Sequence, residues 1–177
     1  KYNTLTDSVS LLTENLDLTT IMKASSAISG KVRFDELLNT MMKITMENAG
    51  AQSGILFLER KELLPKISIN PTTQVKLIVG LPHEEDEELP VSLVQYVYRT
   101  NEEVVIDNAA SDLRFLKDGF FKKYKPKSVL CVPILQHGEF IGALYMENRL
   151  AAGVFTQERL QLIRLLSGQI AVSIENS

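Results

Sequence analysis

At 177 residues the chain is long enough to fill one hydrophobic core and short of what two full domains use. Its 45% hydrophobic and 23% charged residues are those of an ordinary globular protein, which excludes a disordered chain. A net charge of −3 with Lys and Arg dispersed along the sequence excludes a surface built to neutralise phosphates, so neither nucleic acid nor an acidic membrane is an expected partner.

Cys131 is the single cysteine, which rules out an intrachain disulfide or a thiol-rich zinc site and fits a reducing cytoplasm. No apolar run reaches the length of a bilayer span, so membrane insertion is not expected. The opening Lys1-Tyr2-Asn3-Thr4 has neither a signal-type apolar stretch nor an initiating Met, and the chain reads as an internal fragment.

In chain order, Leu5, Val9 and Leu12 fall at helical spacing, and Leu18, Ile21, Ala24 and Ile28 continue the period until Ser29-Gly30 stops it. A second helix is predicted from Phe34 to Ala49 on Leu37, Leu38, Met41, Ile44 and Met46, with Gly50 placed for a left-handed cap. The period then shortens. Gly54 to Leu58, Pro65 to Ile69 and Val75 to Val79 read as strands bounded by charge, Pro or Gly. His83 to Glu88, with carboxylates at every position after the histidine, reads as a solvated loop.

Pro90 opens a helix that carries Val91, Val94 and Val97 on one side and ends near Thr100. Val104 to Ile106 is a short strand, and Asp107 to Asp112 is turn-forming. Phe115 to Tyr124 reads as a short amphipathic helix. Lys127 to Leu135 and Phe140 to Met146 are two strands of a hairpin joined by Gln136-His137-Gly138-Glu139. Thr156 caps a last helix, Glu158 complements its first turn, and Leu160, Ile163, Leu166, Ile170 and Ile174 run to its end. The sum is an α+β fold, an antiparallel sheet with helices on it and no parallel βαβ repeat.

The chemistry is mostly negative. His83 and His137 have no ligand-spaced carboxylate or cysteine, and both read as surface residues. Phosphate-cradling glycine loops and the nucleophile elbow are absent from the sequence, which disfavours an NTPase or a hydrolase. The acidic run from Glu84 to Glu88 lacks the glycine-punctuated spacing of a calcium loop. Cys131 lies in the apolar run Ser128-Val129-Leu130-Cys131-Val132-Pro133-Ile134, either as a packing residue or as a ligand contact. Asp107, Asp112 and Arg114 either hold a polar ligand or pair among themselves.

The run KSVLCVPILQHGEFIGALYMEN (Lys127 to Asn148) and the following FTQERLQLIRLLSGQIAVSIEN (Phe155 to Asn176) resemble the C-terminal half of a GAF domain. The family's Val-Pro-Ile/Leu pattern is matched by Val132-Pro133-Ile134, and its Ile-Gly-hydrophobic pattern by Ile141-Gly142-Ala143. VVIDNAASDLRF (Val104 to Phe115) resembles the loop that borders the family's cavity, and FDELLNTMMKITMENAGAQSGILFL (Phe34 to Leu58) its amino half. The resemblance spans residues 17–177, with 1–16 as a helical linker, and with LDLTTIMKASSAISG (Leu16 to Gly30) it is most similar to the GAF domains of very large bacterial and fungal sensor kinases.

It implies a GAF/PAS-like sheet of five or six strands, terminal helices on one face, and short helices and loops roofing a cavity on the other. It further implies a non-catalytic sensory module that binds a small molecule and signals through a homodimer of its terminal helices to adjacent kinase domains, or alternatively a ligand-free relay. The expected cavity lies between the sheet and Asp107 to Tyr124, with Phe115, Phe120, Phe121 and Tyr124 as walls and Asp107, Asp112, Arg114, Ser128 and Cys131 as further candidate contacts. Leu12 and Ile163 are taken as faces that meet a second copy. Asn148, Phe155 and Glu158 echo the motif of cyclic-nucleotide-binding members, with Arg149 in place of Lys, so a cyclic nucleotide is admitted as ligand. Val132 rather than His follows Cys131, so no covalent bilin is expected, and neither histidine is placed to ligate haem. The family's free methionine sulfoxide reductases need two thiols where this chain has one.

Overall fold

The computed structural model describes residues 39, 40, 42, 43, 46–62 and 74–175. The helices expected before Phe34, the strand expected from Pro65 to Ile69, and Leu12 lie outside the described residues. Residues 46–49 are the helical end of the second predicted helix, and Gly50 follows at φ 71°, the left-handed conformation its position calls for.

Five strands form one sheet in the order β2-β1-β5-β4-β3: β1 (Ser53–Leu58), β2 (Val75–Val79), β3 (Val104–Ile106), β4 (Ser128–Gln136) and β5 (Glu139–Asn148). The β4–β5 hairpin turns through His137 and Gly138 at φ 51° and 81°, the positive pair that matches the twist of an antiparallel ribbon. β1 pairs antiparallel with β5, and β3 with β4. One edge departs from the expected antiparallel sheet, since β2 runs parallel to β1, Gly54 opposite Val75. The long connection from residue 59 to 74 permits this, because a parallel partner needs a crossover of about a dozen residues or more and no hairpin supplies one.

Strand alternation sorts the core into two layers. Leu130, Val132, Ile134, Leu144 and Met146 pack with Leu160, Ile163, Leu166 and Ile170 of the last helix, α3 (Gln157–Glu175). Val129, Cys131, Ala143 and Tyr145 face the other way. They pack with α1 (Val91–Thr100), the 3₁₀ turn Leu113–Phe115 and α2 (Gly119–Tyr124).

The helix expected over Phe115 to Tyr124 is thereby shortened, because Asp118 interrupts it, as Asp112 starts the 3₁₀ turn before it. Each carboxylate accepts an amide two residues on, Arg114 N at 3.0 Å and Phe120 N at 2.8 Å, and so starts a new turn. Asp118 is buried and also accepts from Ser92 N at 2.9 Å and Ser92 Oγ at 2.5 Å, which fastens α2 to α1.

Ile163 is fully buried against the sheet, so it is no surface for a second copy. The outward stripe of α3 is instead Gln161, Arg164, Gly168, Val172 and Glu175, with the Arg164 guanidinium paired to Glu103 of the β3 entry. Apart from Val172, the apolar residues of α3 are buried or half-buried within the chain.

Candidate functional site

On the face that carries Tyr145, a cleft of about 440 Å³ opens between the β2-β1-β5 end of the sheet and α2. Its floor is Ile55 and Tyr145, and its roof is Phe120 and Tyr124. The Phe120 ring meets Tyr145 edge-on at 5.9 Å and Tyr124 at 4.9 Å.

The polar centre of the cleft is Glu147, 1% exposed. A carboxylate at that depth must be paired or hydrogen-bonded. Ser53 Oγ donates to its Oε1 at 3.0 Å and the Tyr145 hydroxyl to its Oε2 at 2.8 Å. Arg149 reaches the same Oε1 through Nε at 2.8 Å and Nη2 at 2.7 Å. The Arg149 guanidinium lies 4.4 Å over the Tyr124 ring, a cation–π contact that lays it along the cleft. At the rim the Tyr124 hydroxyl and Lys123 both donate to Glu88, and the Lys123 bond holds the Glu88 carboxyl below its usual range. Burial, reinforced by the Glu147 charge, pushes the Tyr145 phenol well up, so it stays a donor at any ordinary pH.

The structure divides the residues expected at the site. Phe120 and Tyr124 line this cleft. Phe115 is buried, stacks on Phe121 at 5.9 Å and lines a second hollow on the far side of α2. Asp112 and Arg114 pair with each other in bidentate fashion at 3.1 and 2.8 Å, and that bond lowers the Asp112 carboxyl and raises Arg114. Asp107 is exposed, and its carbonyl accepts from Gly153 N at 2.8 Å.

Ser128 is buried and tied to the β5–α3 loop, donating to Ala151 O at 2.8 Å and accepting from Val154 N at 3.2 Å. It has the strand parity of Leu130 and Val132, opposite to that of Cys131. Cys131 lies opposite Tyr145 in the β4–β5 register, wholly buried and outside the lining of either hollow.

Burial raises the Cys131 thiol far above its ordinary value. The folded protein should therefore react with a thiol reagent at pH 8 at least tenfold more slowly than the same chain in guanidinium chloride. Folding holds the proton on, so stability is complete below the unfolded thiol's pKa, near 9.0, and falls as pH rises through it. Cys131→Ala should remove the first part of that alkaline loss in denaturant melts across pH 7 to 10. An equally steep loss in the variant would place its origin elsewhere.

Sequence reasoning missed Ser53, Tyr145 and Glu147. The available signal was parity, since Tyr145, Glu147 and Arg149 alternate along one face of β5 and its extension, with the Glu147 carboxylate directly after the apolar run Phe140 to Met146.

The model of the GAF domain matches residues 33–174. The chain belongs to the GAF family. Among curated proteins it is similar to hybrid signal transduction histidine kinase G of Dictyostelium discoideum, at 24% identity across 92% of the chain and 8% of that protein. The chain thus spans less than a tenth of that relative's length. Among solved structures it resembles the GAF domain of a phosphoenolpyruvate-protein phosphotransferase from Coxiella burnetii, TM-score 0.60, at 14% identity over 95% of this chain and 94% of that one. It also resembles free methionine-R-sulfoxide reductase from Neisseria meningitidis, TM-score 0.59, at 12% identity over 97% and 92%. At these identities the structural likeness is one of fold. Among the described residues no group of three or more His, Cys, Asp or Glu side chains is gathered for a metal, and no helix is long and apolar enough to cross a membrane.

Proposed function

We propose that this GAF domain is a non-catalytic sensory module of a signal-transduction kinase, in which a small molecule enters the Tyr145–Glu147 cleft and its presence is relayed to the terminal helix α3 within a homodimer. The observation that carries the reading is Arg149. One end of this residue closes on the buried Glu147 and Tyr124 in the cleft, and its backbone begins the loop that leads into α3.

That loop is held at several points. Arg149 N donates to Gln52 Oε1 at 2.7 Å, Asn148 Oδ1 accepts from Leu150 N and Ala151 N at 2.9 and 2.8 Å, and Ser128 clamps both Ala151 and Val154. Arg159, in the first turn of α3, donates to Val154 O at 2.6 Å. A ligand that draws Arg149 off Glu147 therefore pulls on a tethered segment whose far end is the helix, and differential affinity for the two Arg149 positions biases the helix. The cleft volume is within the range of about 300–1,000 Å³ used by small-molecule sites. The similarity to a histidine kinase supports a kinase module on the same polypeptide as the output.

The second reading, a ligand-free dimerisation and relay module, is favoured by one feature: both Glu147 oxygens are already occupied by the chain's own donors. Thermal-shift and native-mass measurements with cyclic AMP, cyclic GMP, free amino acids and a linear tetrapyrrole separate the two. A ligand at about 100 times its Kd adds about 2.7 kcal/mol, a rise of several degrees in Tm, and Arg149→Ala should abolish it. No ligand response with self-association intact favours the relay alone. Val172, 44% exposed on the outward stripe of α3, tests that association. Val172→Glu should weaken it at least tenfold in sedimentation, and a wild-type chain that is monomeric and unresponsive overturns both readings.

A further inference from the structure

The segment from Lys117 to Lys127, KDGFFKKYKPK, holds five lysines in a chain whose net charge is −3. Its single carboxylate, Asp118, is buried and turned to Ser92 and Phe120. Lys123 is paired with Glu88 on the side of the cleft described above. Lys122, Lys125 and Lys127 are exposed and line a different hollow, of about 530 Å³, between α2 and the 3₁₀ turn Ala109–Ser111. Among the described residues none of their ammonium groups has an ion-pair or hydrogen-bond partner.

The walls of this hollow are apolar, formed by Ala109, Phe115, Leu116 and Phe121. Phe115 and Phe121 are stacked and buried, while Leu116 is left 43% exposed at the mouth. Two features hold it open. Ala109 N donates to Lys127 O at 2.8 Å, fixing the turn to the start of β4. Lys125 takes φ 47° at the end of α2 and donates its N–H to Phe121 O, which turns the chain into buried Pro126 and leaves Lys122 and Lys127 lining the same hollow.

We infer that this hollow is a second binding site, for a small amphipathic carboxylate. Its apolar chain lies along the wall of Ala109, Phe115, Leu116 and Phe121, and its head group is held by Lys122, Lys125 and Lys127. The charge is one-sided, so a neutral or cationic molecule of the same shape loses the head-group interaction. An aliphatic body suits walls without a hydrogen-bonding side chain other than the lysines and Asn108, whose Oδ1 is already taken by Ala110 N. The site is independent of the Glu147 cleft, with which it shares no lining residue.

Octanoate, octanol and octylammonium, titrated into the 177-residue chain and followed by amide chemical shifts, provide the test. Octanoate should bind at least tenfold more tightly than either analogue, should move the Phe115, Phe121 and Lys127 amides, and should weaken with added salt. The variant Lys122→Gln/Lys125→Asn/Lys127→Gln keeps a residue suited to the left-handed position at 125 and should reduce the preference for octanoate to less than twofold. Equal binding of all three probes, or shifts confined to Tyr124 and Tyr145, overturns the inference. Because the probe comparison is made on the wild-type chain, it decides the matter even where the variant fails to fold.

Discussion

Gly142→Ala should destabilise the domain by about 3 kcal/mol, at the upper end of what overpacking a core usually costs. Gly142 is on β5 opposite Leu58 of β1 and Ile134 of β4. A Cβ there would lie 2.3 Å from Phe57 O and 3.4 Å from Phe57 C, both main-chain atoms of the neighbouring strand. A side chain in the way can rotate, but a paired backbone cannot retreat without opening the ladder it belongs to. The Ile141-Gly142-Ala143 pattern is therefore a packing requirement of the central strand pair. Urea melts should show a lower midpoint with an unchanged slope. Gly168→Ala is the contrast, since this helical glycine has nothing within 4 Å of its added methyl, and the change should stabilise by up to about 1 kcal/mol. A Gly142→Ala protein within about 0.5 kcal/mol of wild type, the ordinary scatter of surface changes, would show that the strands part there at little cost.

Most of the strands and the closing helix were legible because they are local. Alternation sets β4 and β5, the left-handed pair His137 and Gly138 sets their turn, and Thr156 marks the start of α3, where Leu160 N bonds Thr156 O at 2.9 Å. The parallel β1–β2 edge was not legible, because partner choice across a long connection leaves no trace in the period of either strand. The start of α2 was written in the sequence and overruled by periodicity: Asp118 bonds its own backbone two positions on, as Asp112 does at the 3₁₀ turn before it.

The site was half legible for a similar reason. Aromatic residues such as Phe120 and Tyr124 declare an apolar wall wherever they sit. The polar partner of the wall depends on strand parity, which puts Ser128 with the α3 layer and Glu147 with Tyr145. Ile163 shows the limit of reading a surface from excess hydrophobicity. Leu162, Ile163 and Ala171 together give α3 several apolar sides, and all three are buried within the chain.

Arg149→Ala tests whether the cleft is a satisfied polar centre under one cation. Removing the guanidinium leaves the Glu147 carboxylate, 1% exposed, with only the neutral donors Ser53 and Tyr145. Breaking a buried ion pair from one side costs about 3–5 kcal/mol, whereas an exposed pair contributes about 0–1 kcal/mol. The Arg149 side chain is 42% exposed against 2% for Glu147, so the pair is intermediate and a loss of about 2 kcal/mol is expected. The decisive measurement is the double variant. In an Arg149→Ala/Glu147→Gln protein no charge is stranded, and more than half of the loss should return, a coupling of the size contacting residues show, about 0.5–3 kcal/mol. Arg149→Lys should fall between wild type and Arg149→Ala, keeping the charge but losing the paired Nε and Nη2 contacts and the face-on approach to Tyr124. Equal losses from Arg149→Ala in the wild-type and Glu147→Gln backgrounds would mean that Arg149 acts through Tyr124 and the loop alone. In that event the proposed relay from the cleft to α3 would not run through the carboxylate.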